Sequence, residues 1–170
     1  MLTFLPISAV DPTAVEALLD RAFGRDRHGR TAYRLRAGVS AIPELSFAAV
    51  EDGALVGTIQ CWPVDLNGDD GRVWPLVMVG PVAVEPGRQR GGLGTELVHQ
   101  ALDAAVELDL DGVMMLVGDP EYYGRFWGFS DEATGGWRLP GPVEARRVLA
   151  RGTAVPTVAG LLGPRIAVAA

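Results

Sequence analysis

The chain has 170 residues, of which 48% are hydrophobic and 21% charged, close to the averages for a soluble globular domain. A single cysteine, Cys61, excludes a disulfide framework, and the apolar content excludes intrinsic disorder. The formal net charge of −6 argues against nucleic acid as the main partner, because phosphate binding requires a positive field.

The N-terminal segment does not have the pattern of an export signal. It lacks a basic region and meets Pro6 and Asp11 too early for a signal peptide. No stretch approaches the roughly 20 apolar residues that a membrane span requires. With one thiol and no export signal, we expect a cytoplasmic protein that has no membrane partner.

A strand and a helix are the first predicted elements. Leu2–Ile7 is a short apolar run that predicts a strand. Asp11 and Pro12 predict a helix start, because a carboxylate caps the first amides and proline suits the first helical position. Gly24 is expected to end this helix. The predicted buried face consists of residues at helical spacing: Val15, Leu18, Leu19, Ala22 and Phe23.

A basic segment follows this helix. Arg25, Arg27 and Arg30 surround His28, and we interpret the segment as a solvated loop. Two functional alternatives stay open, namely binding of an anionic group by the arginines and contact of His28 with a substrate. A second, shorter helix is predicted near Thr31–Ala37.

The middle of the chain changes to strand-like composition. Leu45–Glu51 and Leu55–Val64 predict two strands, and Glu51–Gly53 between them is a hairpin turn signal. A second turn, Asn67–Gly71, leads to the long apolar run Val73–Val84, which predicts another strand.

Helices and strands alternate in the second half. A helix is predicted from about Leu93 to Asp109, and Val113–Val117 predicts a buried strand. A short aromatic helix, Pro120–Phe126, follows, and the residues from Phe129 onward predict strands joined by turns. This order predicts a single mixed α/β domain over residues 1–170.

A glycine-rich turn, Pro86–Gly94, connects a predicted strand to the longest predicted helix. Amides at a helix start bind anions, glycines let the backbone approach a ligand, and Arg88 and Arg90 add two cations. The turn lacks the lysine of a nucleotide-hydrolysing P-loop, and Leu97 stands where a dinucleotide fingerprint needs its third glycine. The pattern Gln/Arg-x-x-Gly-x-Gly/Ala fits at Gln89–Gly94.

With this pattern, the sequence resembles the GCN5-related N-acetyltransferase (GNAT) superfamily. The specific part of the resemblance is Val79–Leu102, supported by Leu116–Phe129. It implies one domain of the acyl-CoA N-acyltransferase fold, flanked by helices. The central sheet would be mixed, mostly antiparallel, and splayed between its fourth and fifth strands, Val73–Val84 and Val113–Val117.

The resemblance also implies a site for acetyl-CoA. The strand residues Val82, Ala83 and Val84 would bind the pantetheine arm, and the Val82 amide would polarise the thioester carbonyl. The turn would hold the pyrophosphate through its amides. Its implied binding residues are Arg88, Gln89, Arg90, Gly91, Gly92, Leu93, Gly94 and Thr95.

A tyrosine in the aromatic segment is implied as the general acid that protonates the departing thiolate. We choose Tyr123, with Tyr122 as the reserve. Family members commonly have three residues between the tyrosine and Gly-Phe, whereas four separate Tyr123 from Gly128 here. The sequence leaves open whether the additional residue keeps Tyr123 in place or turns it away.

The resulting functional hypothesis is acetyl transfer from acetyl-CoA to a primary amine of a small molecule or protein, by direct attack in a ternary complex. The general base is unassigned, since Glu44, Glu51 and Glu85 are each interpreted as surface groups. No metal is expected, because His28 and His99 stand far apart and no cysteine pairs with them. The alternative is a coenzyme A-binding module without catalysis. The C-terminal strands could pair with another chain, which leaves a homodimer open.

Overall fold

The computed structural model describes residues 1–89 and 91–166. Its helices are α1 (Pro12–Phe23), α2 (Thr31–Arg34), α3 (Leu93–Glu107) and α4 (Pro120–Trp127). Its strands are β1 (Leu2–Pro6), β2 (Phe47–Glu51), β3 (Ala54–Gly68), β4 (Val73–Val84), β5 (Met114–Val117), β6 (Trp137–Arg138), β7 (Val148–Arg151) and β8 (Gly160–Pro164). The predicted mixed α/β fold is confirmed.

The strands form one sheet in the order β1-β2-β3-β4-β5-β7, and β8 pairs with β3 and β6. Most pairs are antiparallel, whereas β4 and β5 are parallel. Their pairing joins Val77 to Met114 and Met78 to Met115, although both strands continue beyond these residues. Among the described residues, the pairing thus covers only part of either strand.

The chain divides into two compact units. The first consists of Met1–His28, Ala41–Cys61 and Gly80–Leu108. In this unit α1 begins at Pro12, and Asp11 caps it by accepting a hydrogen bond from the Thr13 amide. The buried face of α1 packs against Ala83 of β4, as the helical periodicity of its apolar residues predicts.

Helix α3 also belongs to the first unit, and its position depends on a glycine in β3. A Cβ atom on Gly57 would lie 2.9 Å from Leu97 Cδ1 and 3.3 Å from Leu93 Cδ2. Because a Cβ essentially never comes within 3.0 Å of another heavy atom, a side chain at residue 57 would displace Leu97, and the glycine therefore lets α3 pack closely on β3. This packing fixes the start of α3, where the glycine-rich turn ends.

The second unit consists of Gly29–Ser40, Trp62–Val79 and the described chain from Asp109 onward. Its core includes Met114, Met115 and Leu149, which are fully buried on β5 and β7. Arg165 joins the end of the described chain to this unit, donating to the Asp65 carboxylate at 3.0 Å.

Several predicted elements differ in extent from the observed ones. The strand predicted over Leu55–Val64 runs from Ala54 to Gly68, and the helix predicted to about Asp109 ends at Glu107. The second helix is predicted to Ala37 but α2 ends at Arg34. The strand predicted from Leu45 begins at Phe47, because Pro43 starts a short 3₁₀ turn through Leu45. Proline favours such a first turn, since its fixed φ angle suits it.

Candidate functional site

The glycine-rich turn begins where β4 ends and closes at the N-terminus of α3. The Arg88 amide donates to the Glu85 carbonyl at 2.7 Å, and the Gly91 amide donates to the Arg88 carbonyl at 3.3 Å. Gly92 stands at the N-cap with a φ of 77°, a left-handed conformation that glycine adopts without strain. The chain therefore reverses here and directs the first amides of α3 along the helix axis, where an anion is favoured.

The packing of the described residues gives no reason for glycine at two other positions of the turn, 91 and 94. A Cβ on Gly91 would meet its nearest neighbour, the Arg88 carbonyl oxygen, at 3.7 Å. A Cβ on Gly94 would meet Val84 Cγ2 at 3.7 Å. Both are ordinary contact distances, so the fold would accept alanine at either position. The missing side chains leave the backbone open to a ligand, which fits a pyrophosphate bound by amides.

The strand before the turn presents alternate residues to different neighbours. Ala83 is fully buried against α1. The half-buried side chains of Val82 and Val84 lie beside Gly94 at the start of α3, with nearest atoms 3.9 and 3.7 Å from the position of a Gly94 Cβ. The structure therefore brings the predicted pantetheine strand and the predicted pyrophosphate turn together.

Two ion pairs surround the turn. The Arg88 guanidinium is paired with the Glu51 carboxylate at the end of β2. Glu85, the last acid before the turn, is paired with Arg21 of α1 at 2.8 Å. Arg88 is therefore held in place, and both carboxylates considered near the turn already have an arginine partner. The predicted pyrophosphate-binding residue Arg90 lies outside the described residues.

Helix α4, in the second unit, carries the two candidate tyrosines. Asp119 caps it by accepting a hydrogen bond from the Glu121 amide at 2.9 Å, and Pro120 is its first residue. The helix continues through Trp127 and ends at Gly128, whose φ of 72° is left-handed. All four residues between Tyr123 and Gly128 are helical.

The Tyr123 side chain lies in an aromatic cluster. Its ring meets Tyr122 edge-on, with centroids 4.9 Å apart, and meets Phe129 at 6.3 Å. Burial raises the pKa of Tyr123 to about 12, and the charges of Tyr122 and Asp119 act in the same direction. No hydrogen bond joins its hydroxyl to another residue that the structure describes. The phenol is therefore protonated at neutral pH and can donate a hydrogen bond.

Gly118, which the sequence interpretation did not single out, provides the surface on which Tyr123 rests. A Cβ on residue 118 would lie 2.7 Å from Tyr123 Cε2 and 2.9 Å from Cδ2. The only sequence signal was its place between an apolar run and the Asp119-Pro120 helix start. Both tyrosine rings contact Trp127, with centroids 5.2 Å away for Tyr122 and 5.7 Å away for Tyr123, and Tyr122 also contacts Phe126 at 5.5 Å.

The basic segment after α1 is not uniformly solvated, and the prediction is wrong for Arg27. Its side chain is 1% exposed and folds back on α1, with Nη2 2.5 Å from Glu16 Oε2 and Nε 3.2 Å from Asp20 Oδ1. Arg27 Nη1 also lies 3.0 Å from His28 Nε2. Two carboxylates one helical turn apart on α1 thus bind this guanidinium, which explains its burial.

Cys61 is unsuited to be a reactive centre, and the described residues form no metal-binding cluster. Cys61 is fully buried, and burial raises the pKa of its thiol to about 12, which disfavours a thiolate nucleophile. In residues 1–89 and 91–166, no group of three or more His, Cys, Asp or Glu side chains could hold a metal ion. No helix in the same ranges is long and apolar enough to cross a membrane.

Comparisons with known proteins agree with this geometry. One solved structure is the GNAT family N-acetyltransferase YhbS from Escherichia coli in complex with CoA, 25% identical, with a TM-score of 0.69 over 97% of this chain and 89% of that chain. Another is a GNAT family acetyltransferase from Brucella melitensis in complex with acetyl-CoA, 26% identical, with a TM-score of 0.58 over 91% and 97% of the two chains. No curated protein matches the chain. The Acetyltransferase (GNAT) family matches residues 13–129, which include both the glycine-rich turn and α4, and the chain therefore belongs to the GNAT acetyltransferase family.

Proposed function

We propose that this protein transfers the acetyl group of acetyl-CoA to a primary amine of a small molecule or protein, by direct attack in a ternary complex. The observation that supports this most directly is the pair of glycines at 91 and 94, because the packing of the described residues does not require glycine at either position. The two similar structures that hold CoA and acetyl-CoA support the same ligand.

Acetyl-CoA supplies an activated thioester when it binds. We assign its pyrophosphate to the amides of the turn from Gln89 to Gly94, with Thr95 at the start of α3. Arg88 and Arg90 would attract the anionic cosubstrate locally despite the net charge of −6. Val82–Val84 would bind the pantetheine arm, and the Val82 amide would stabilise negative charge on the carbonyl oxygen during attack.

Tyr123 is the proposed hydrogen-bond donor to the departing sulfur. A free thiol has a pKa of about 8.5, well below the value of about 12 to which burial raises the pKa of Tyr123. A complete proton transfer from phenol to thiolate is therefore uphill, and the hydroxyl contributes chiefly by stabilising the developing charge. Its protonated form persists across the neutral and mildly alkaline range.

The proton of the attacking amine must leave by another route. Glu51 and Glu85 are held by Arg88 and Arg21, so we assign the general base to neither. Deprotonation through water satisfies the same chemistry.

Thermal unfolding with and without acetyl-CoA tests the cosubstrate site. Acetyl-CoA at about one hundred times its Kd stabilises the folded state by about 2.7 kcal/mol, which for this length raises Tm by roughly 5–10 °C. We expect Gly91→Asp to abolish this shift, because its carboxylate would repel the pyrophosphate. Gly135→Asp is the matched control, since a Cβ there has open space and the charge change is the same. Absence of any shift in the wild type would overturn the proposal.

Thiol release from acetyl-CoA then tests catalysis with small primary amines and with peptides that carry a free N-terminus or lysine. We expect turnover with at least one of these two classes of acceptor. Tyr123→Phe should lower kcat and change KM less. Binding of acetyl-CoA without turnover on any acceptor would instead support the non-catalytic coenzyme A-binding module.

A further inference from the structure

Arg147 holds both polar groups of the Gly118 backbone. The Gly118 amide donates to the Arg147 carbonyl at 2.9 Å, and Arg147 Nε donates to the Gly118 carbonyl at 3.5 Å. The Arg147 amide in turn donates to the Glu144 carbonyl at 3.0 Å. Arg147 thus binds both the amide and the carbonyl of residue 118. The backbone of Arg147 is itself held by the short turn that begins at Glu144.

The position of Gly118 decides where the Tyr123 ring can lie. A Cβ on residue 118 would lie 2.7 Å from Tyr123 Cε2 and 3.0 Å from Leu116 Cδ1. The tyrosine ring therefore fills the space that such a Cβ would need. A shift of the residue 118 backbone would therefore move the ring or open a gap beneath it.

Arg147 also acts on the phenol through its charge. Among the described residues, the charged and titratable groups that influence Tyr123 are Tyr122 on its own helix, Asp119 at the N-cap of that helix and Arg147 on the segment before β7. The first two act with burial to raise the pKa of Tyr123, whereas Arg147 lowers it. A cation near a phenol stabilises the charged form and makes the hydroxyl a stronger hydrogen-bond donor.

We propose that Arg147 is a positioning residue for Tyr123, fixing Gly118 beneath the ring and holding a positive charge near the hydroxyl. This inference rests on the proposed role of Tyr123 in acetyl transfer. Arg147 lies beyond residue 129, where the family match ends. The residue that positions Tyr123 therefore comes from the C-terminal segment of this chain.

Fluorine NMR of a single fluorotyrosine tests the inference without turnover. The chain has three tyrosines, so Tyr33→Phe and Tyr122→Phe leave Tyr123 as the only site for biosynthetic labelling. Ring fluorination lowers the phenol pKa, which brings its titration into a milder pH range. We expect Arg147→Gln to raise the titration midpoint by roughly half a pH unit, less than a buried charge pair would give. Arg147→Lys keeps the charge and should leave the midpoint near its original value.

Thermal melts establish that each variant is folded before titration. An unchanged midpoint in folded Arg147→Gln would overturn the inference. Equal rises in the Gln and Lys variants would overturn the role of the charge, because the Lys variant keeps it. These outcomes are distinct from failure of the proposed function. If Tyr123→Phe retains full acetyl transfer, the proposed donor is wrong whatever the midpoint does, whereas an unchanged midpoint removes only the role of Arg147.

Discussion

The Tyr123 ring lies so close to Gly118 that a methyl group on residue 118 would come within 2.7 Å of Cε2. The two residues stand five positions apart, at the end of β5 and within the first turns of α4. The ring of the proposed hydrogen-bond donor can lie in this position only because residue 118 has no side chain. Every other residue type there would displace the ring.

Gly118→Ala should impair catalysis more than acetyl-CoA binding. The added methyl group overpacks the site, which costs roughly 1–3 kcal/mol of folding free energy, and it moves the hydroxyl of Tyr123. We expect a lower kcat with little change in the thermal shift caused by acetyl-CoA. Gly135→Ala is the control, since a Cβ there meets nothing within 4 Å. Wild-type kcat in a folded Gly118→Ala protein would show that the ring position does not matter.

Local signals made much of this architecture predictable from the sequence. Asp11-Pro12 and Asp119-Pro120 each pair a capping carboxylate with a proline at the first helical position, and helices begin at both. The glycine-rich turn was recognisable for the same reason, because its strand, glycines and helix are contiguous.

Contacts between distant residues could not be predicted in this way. Arg147 reaches Gly118 across 29 positions, and nothing in the composition of either segment indicates the pairing. Arg27 was interpreted as solvated because it stands among other basic residues, yet Glu16 of α1 binds it. Periodicity identifies the polar face of α1, but it does not indicate which later residue folds back onto that face.

The Arg88 guanidinium should influence acetyl-CoA binding more than folding. The side chains of Arg88 and of its ion-pair partner Glu51 are both 33% exposed, so loss of the pair should change stability by no more than about 1 kcal/mol. We expect Arg88→Gln to weaken acetyl-CoA binding severalfold and to reduce its dependence on salt. Titration calorimetry at two salt concentrations measures both effects.

Arg72→Gln is the matched control for Arg88, because Arg72 is also paired with a carboxylate, Asp70 at 2.8 Å, but stands outside the turn. Equal acetyl-CoA affinities in the Arg88 and Arg72 variants would contradict a role for Arg88 at the cosubstrate. Glu51→Gln, which removes the carboxylate and keeps the cation, should not weaken binding.

Replacement of Arg27 should be among the most destabilising changes in the segment after α1. The guanidinium is buried between Glu16 and Asp20, whose side chains are 52% and 37% exposed. Because these carboxylates can turn to water, we expect Arg27→Ala to cost roughly 2–3 kcal/mol, below the 3–5 kcal/mol of a fully buried pair. Arg25→Ala, at an exposed position of the same segment, should cost less than about 0.5 kcal/mol. Urea unfolding of both variants measures the two losses of stability. Equal unfolding midpoints would contradict the structural role of Arg27.

The folded state should lose stability in strongly alkaline solution, partly because of Tyr123. Burial raises the pKa of this phenol from 10.0 to about 12, so the folded chain holds the proton more tightly than the unfolded chain does. The resulting stabilisation is fully present below pH 10 and is lost as pH rises towards 12. A difference of about two pK units corresponds to at most about 2–3 kcal/mol.

Cys61 contributes a similar loss that begins at lower pH, since burial raises the pKa of its thiol from 9.0 to about 12. The comparison is therefore best made in a Cys61→Ala background, with urea unfolding at intervals between pH 9 and 12. In this background Tyr123→Phe should flatten the decline above pH 10. Parallel declines with and without the Tyr123 hydroxyl would mean that the phenol is not shielded from water, and its proposed persistence as a protonated donor at the departing sulfur would lose its physical basis.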